Sequence, residues 1–139
     1  MHPFIRWPLP ATIGSGETMK VKNYKELIVW QKAMSAVKLL YSLIKKLPKE
    51  ELFALSNQMR RCAVSIPSNI AEGQQRSSGA EFLKFISYAQ GSRAELETQL
   101  LICVSIGYMT EDDISELMSL LEEINKMLSS LEKTIPVSK

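Results

Sequence analysis

Six aliphatic residues, Ile114, Leu117, Leu121, Ile124, Leu128 and Leu131, recur at alternating intervals of three and four. An α-helix turns once in about 3.6 residues, so this heptad rhythm aligns all six in one apolar stripe that has to be buried against other elements. Thr110 and Asp113 open that helix as a capping box. The segments before it read as helices too. In NYKELIVWQKAMSAVKLLYSLIKKL, Asn23 and Glu26 stand in capping-box positions. Leu27, Trp30, Met34, Val37, Tyr41 and Ile44 then repeat as one buried stripe, which Pro48 closes. A second helix is expected from near Lys49 to Gly73, where a left-handed glycine ends it. A third opens at the capping box Ser78–Glu81 and reaches Gly107. Four long helices with short connections, and no competing strand pattern, predict an all-α fold: an antiparallel up-down-up-down four-helix bundle.

Pro67 tests that reading, because a proline inside a helix deletes a hydrogen bond and crowds the preceding turn, at about 3 kcal/mol. The residues that follow, SNIAEG, still favour helix. Ile66 and Ile70 also stay on the face of Met59, Cys62 and Ala63. The second helix is therefore expected to continue, kinked, through Pro67.

Residues 1–18, MHPFIRWPLPATIGSGET, hold three of the six prolines and two of the six glycines, with no periodicity. They read as a disordered or vector-derived tail, with Met19 as the natural start and residues 19–139 as the bundle domain. A tail peptide that docks through Phe4 and Trp7 is the alternative.

Composition narrows the chemistry. The only histidine is His2. Ser–His and Cys–His nucleophile pairs and histidine-based metal sites are therefore unavailable to the bundle. Cys62 and Cys103 have no disulfide or CxxC spacing, which points to a reduced, cytoplasmic protein. No apolar run is long enough to span a membrane. No catalytic residue, cofactor or metal is assigned.

Charge is divided along the chain. Residues 20–61 carry ten Lys or Arg against three acids, and residues 93–139 carry four against nine. Either the first and last helices complement each other as neighbours, or Lys32, Lys38, Lys45, Lys46 and Arg60 form a face for RNA or DNA.

Two polar stripes stand out. Gln58, Arg61, Ser65, Asn69, Glu72 and Arg76 run through Pro67, and Glu81, Tyr88, Ser92, Glu95 and Gln99 follow on the third helix. If the two helices fold back around Ser77, Gln58 faces Glu95, Arg61 faces Ser92, Ser65 faces Tyr88 and Glu72 faces Glu81. An Arg61–Glu95 ion pair comes within reach, and Gly91 permits close backbone approach. Small hydrogen-bonding types with few lysines suit a polar helix–helix seam or a subunit interface; a solvated face and a ligand site are the alternatives. Glu72 and Glu81 are expected in solvent beside the turn.

NYKELIVWQKAM, Gln58–Arg61, SIPSNIAEG followed by Arg76, Glu81, Phe82 and Phe85, and AQGSRAELETQL together resemble the 23S rRNA-intervening-sequence protein family. The resemblance covers residues 22 to about 130. Its motif positions here are Trp30, Gln58, Arg61, Ser65, Pro67, Asn69, Glu72, Gly73, Ser92, Glu95 and Gln99. It implies an antiparallel four-helix bundle assembled as a ring-like homopentamer, with no established enzymatic activity. That family is in turn similar to the accessory proteins of diversity-generating retroelements, pentameric bundles that bind a reverse transcriptase and nucleic acid.

Three functions are thus expected in order. The first is a non-enzymatic homo-oligomeric interaction protein engaging RNA or a ribonucleoprotein partner. The second is an accessory subunit of a retroelement reverse transcriptase. The third is a small-ligand or metal-binding bundle with a pocket around Arg61, Tyr88 and Glu95.

Overall fold

The computed structural model describes residues 23–136, so the expectations for residues 1–18 and for a start at Met19 lie outside it. The described chain is all-α. Four helices, α1 (Ile28–Leu43), α2 (Leu55–Gln74), α3 (Gly79–Ser105) and α4 (Glu111–Thr134), are joined by short turns, and no strand occurs among the described residues. α1 packs on α2 and α4, and α3 packs on the same two helices.

The termini follow local chemistry. The Thr110 hydroxyl accepts from the Asp113 amide at 3.0 Å, and the Asp113 carboxylate accepts from the Thr110 amide at 2.9 Å, the reciprocal capping box expected at α4. Ser78 caps α3 by accepting from the Glu81 amide at 3.1 Å. α3 ends in a Schellman motif: Gly107, at φ +88°, donates to Val104 O, and Tyr108 donates to Cys103 O. Asn23 caps a short 3-10 turn, Tyr24–Glu26, and α1 begins only after it.

α2 starts later than expected. Lys49–Glu51 form a separate 3-10 turn, and the helix begins at Leu55. Glu51 holds this corner, accepting from the Leu55 amide at 3.4 Å and from the Tyr108 hydroxyl at 2.8 Å. Pro67 lies inside α2 and is buried, so the helix does continue through it. In the same turn the Asn69 side-chain amide donates to Ser65 O at 2.8 Å.

The core is one hydrophobic cluster, mostly aliphatic with Phe82 and sulfur-bearing side chains, shared by all four helices. The α4 stripe is buried at every expected position, Ile114, Leu117, Leu121, Ile124, Leu128 and Leu131. Of the expected α1 stripe only Leu27 and Ile44, at its two ends, are buried. Met34 and Tyr41 are 41% and 43% exposed, Trp30 and Val37 are only half-buried, and the buried line runs Val29, Ala33, Ala36, Leu40 and Ile44. The helix is rotated by one residue, about 100°, from the expected orientation. Two alanines let α1 come close to its neighbours, and its larger apolar side chains are left at the edge.

Two glycines of the α2–α3 hairpin, Gly73 and Gly91, do not have the roles expected of them. Gly73 is not a left-handed stop, since Gly107 is the one glycine of positive φ among the described residues. It lies within α2, and a Cβ there would sit 2.7 Å from Phe85 Cβ and 2.9 Å from Phe82 Cδ1. Gly91, the expected point of close approach, has nothing within 4 Å of a Cβ position.

Candidate functional site: the seam between α2 and α3

The seam forms because both helices place small polar residues where their axes approach. Ser65 and Ser92 hydroxyls share a 2.7 Å hydrogen bond, and the Asn69 amide donates to Ser65 Oγ at 2.8 Å. The register is one helical turn from the expected one, for Ser65 meets Ser92 rather than Tyr88. Part of the offset is geometric. Helical side chains lean toward their own N-terminus, so the residues that touch lie beyond those whose Cα atoms are level.

The shift changes the partners. Glu95 lies against the Cys62 thiol, and Gln99 approaches the same sulfur. Burial first, and the Glu95 carboxylate second, push this thiol up to about 11 from its ordinary 9.0. A thiol held protonated is a poor nucleophile. No Arg61–Glu95 ion pair occurs among the described residues, whose salt bridges lie elsewhere. Gln99 is only 5% exposed, and its Oε1 has no hydrogen-bond partner. A buried unpaired carbonyl costs about 1–3 kcal/mol, which marks this turn of the seam as unusual.

The other seam residues lie outward. Gln58, Arg61, Glu72, Tyr88 and Glu95 are exposed, and Ser65, Asn69 and Ser92 half-buried. Glu72 and Glu81 are both exposed, and Glu72 pairs with Arg76 at 2.7 Å. Arg76 also stacks on Phe85, 4.8 Å from the ring centroid. The two helices also leave Val64, Tyr88, Leu101 and Ile102 exposed, as is Ile106 just beyond α3. Hydropathy periodicity alone could not separate these five from core residues; only their place relative to the neighbouring helices does. Among the described residues no group of three or more His, Cys, Asp or Glu is placed to hold a metal.

The expected basic face is divided by the fold. Lys32 of α1 pairs with Glu123 of α4 at 3.2 Å, and Lys46, in the 3-10 turn that follows α1, pairs with Asp113 of α4 at 3.5 Å. Opposite charges on the first and last helices are therefore complementary within one chain. Lys38 and Lys45 remain exposed outside these pairs, while Arg60 donates to Leu52 O at 3.5 Å.

No described helix is long and apolar enough to cross a membrane. Over residues 25–130 the chain matches the family model of the 23S rRNA-intervening sequence protein. It is also similar to the crystal structure of a protein of unknown function from the S23 ribosomal protein family of Bacteroides thetaiotaomicron. That similarity has a TM-score of 0.71 and 30% identity, over 77% of this chain and 100% of the other. No curated protein matches. A family match over residues 25–130 of a 139-residue chain places this chain in the 23S rRNA-intervening sequence protein family.

Proposed function

We propose that this chain is a non-enzymatic interaction protein that assembles with copies of itself through the α2–α3 face. The observation that carries this is the make-up of the two helices: α2 and α3 leave the large apolar side chains of Val64, Tyr88 and Ile102 exposed, and they are joined by a seam of hydrogen-bonded serines. Apolar groups left in water beside satisfied polar ones have the character of a subunit contact. The family resemblance adds the size, a ring-like pentamer, and an antiparallel bundle; short connections between the helices add the up-down-up-down order, and the ring of Pro67 adds a bend in α2. Residue pairs support that order, since Ser65 meets Ser92 while Met59 meets Cys103 further along α3. Two buried, unpaired cysteines support a reducing cytoplasmic setting.

Light scattering tests the assembly. The expected mass is a multiple of 15.7 kDa that collapses toward a single chain in Ile102→Asp with Tyr88→Asp. A single-chain mass for the unmodified protein refutes it.

The resemblance also supports RNA or a ribonucleoprotein as partner, with Lys38, Lys45 and Arg60 as the basic residues outside the α1–α4 ion pairs. Binding to a structured RNA should weaken with salt and fall in Lys38→Glu/Lys45→Glu. No binding at low salt refutes that part.

A further inference from the structure

A groove of about 350 Å³ opens where α1 ends and α2 begins. Its floor is aliphatic, formed by Ile44 and Leu47, both 9% exposed, with Pro48 beside them. Its walls are Tyr41 and Leu52, two large apolar side chains left 43% and 45% exposed. Three cations, Lys45, Lys49 and Arg60, line the same groove. None belongs to an ion pair among the described residues, whereas Lys46, next in the chain to Lys45, is taken by Asp113. Arg60 is steadied by its hydrogen bond to Leu52 O, 3.5 Å. Of the nearby acids, Glu51 is turned onto Tyr108 and the Leu55 amide, and Glu50 is exposed and lies outside the lining.

We propose that this groove docks an acidic segment of a partner protein, with one bulky apolar side chain seated between Tyr41 and Leu52 and its flanking carboxylates on Lys45, Lys49 and Arg60. The aliphatic floor decides between a peptide and a nucleobase. A base seated there presents N–H donors at its edge, and the lining offers them little: the three cations donate but do not accept, Ser56 is itself 4% exposed, and the Tyr41 hydroxyl is the one other polar side-chain group. Most of such an edge would lose its hydrogen bonds to water without replacement. A Leu or Phe side chain leaves nothing unpaired and gains from burial. Tyr and Arg around such a pocket are also the residue types that dominate protein–protein contacts. This docking goes beyond the assembly proposed above, since the groove lies on the α1–α2 corner and not on the α2–α3 seam; it competes with the RNA reading for Lys45 and Arg60, and the uridylate arm of the test decides between them.

A library of random 12-residue peptides displayed on phage, panned against the full chain, tests the proposal. Enriched peptides are expected to combine two or more Asp or Glu with a Leu, Phe or Trp, and to bind less tightly as salt rises. Affinity should fall at least tenfold in Leu52→Asp and in Lys45→Glu/Lys49→Glu. All three positions are exposed, so helicity by circular dichroism should be unchanged in both variants. Failure to enrich any peptide, enrichment without acidic residues, or equal binding by both variants overturns it. So does displacement of the peptide by a single-stranded 12-mer of uridylate with the higher affinity. Native mass measured on the same two variants separates the proposals: an altered mass would assign the groove to subunit contact and overturn the docking, while leaving self-assembly standing.

Discussion

Replacing Gly73 and Gly91 one at a time by alanine tests the geometry of the α2–α3 contact with an internal control. Both glycines lie within helices, at Leu55–Gln74 and Gly79–Ser105. Alanine therefore improves helix propensity at each by about 1 kcal/mol. At Gly91 a new Cβ meets nothing within 4 Å, so that gain should appear undiminished. At Gly73 the Cβ would lie 2.7 Å from Phe85 Cβ and 2.9 Å from Phe82 Cδ1. The Phe85 Cβ is tied to its backbone and cannot swing aside, so the helices must separate or shift. Overpacking of this kind costs about 1–3 kcal/mol. Subtracting the propensity gain leaves Gly73→Ala less stable by about 1 kcal/mol and Gly91→Ala more stable by about 1 kcal/mol. At about 4 °C per kcal/mol for a domain of this size, their melting temperatures should differ by roughly 8 °C. Urea and thermal unfolding followed by circular dichroism at 222 nm would read the difference, at one fixed protein concentration because assembly itself stabilises. Equal stabilisation by the two alanines would refute the close approach at Gly73.

Three further outcomes follow from the same contacts. Ser65→Ala removes the hydroxyl that bonds Ser92 and receives the Asn69 amide, and should cost about 1 kcal/mol in urea titration. If the double variant with Ser92→Ala costs about twice as much, the two hydroxyls are not paired. Cys62 has a folded-state pKa raised from 9.0 to about 11, so its contribution to stability is complete below pH 9 and is lost as pH rises toward 11. The unmodified protein should therefore lose stability across that window and Cys62→Ala should lose less, with slow alkylation of Cys62 at pH 8 as the companion measurement. Asp113 is shifted the other way, chiefly by the Thr110 amide. Its contribution is present at neutral pH and disappears as pH falls through its lowered pKa. Thr110→Ala should cost about 1 kcal/mol at pH 7 by loss of the cap, measured by thermal unfolding, and less in acid, once Asp113 is protonated in both proteins.

What the sequence determined by itself was whatever depends on near neighbours in the chain. The α4 stripe, the Thr110–Asp113 box, the Ser78 cap, the turn at Gly107 and the continuation of α2 through Pro67 all answer to residues within a turn or two. Periodicity of large side chains, however, shows only which residues would be comfortable inside. Tertiary structure decided which of them are. In α1 the helix turned Ala33 and Ala36 inward, because small side chains let three helices approach, and left Met34 and Tyr41 outside. The same rotation made Tyr41 a wall of the cationic groove, together with Lys49 and Leu52, which no linear charge pattern singles out. The seam residues were legible as a set, but their partners were not. Pairing across α2 and α3 depends on how far two helices slide, and one turn of sliding gave Ser65 to Ser92, Glu95 to Cys62 and the close approach to Gly73 instead of Gly91. Likewise the opposite charges of α1 and α4 were visible along the chain, while only the packing of those helices joined Lys32 to Glu123 and Lys46 to Asp113.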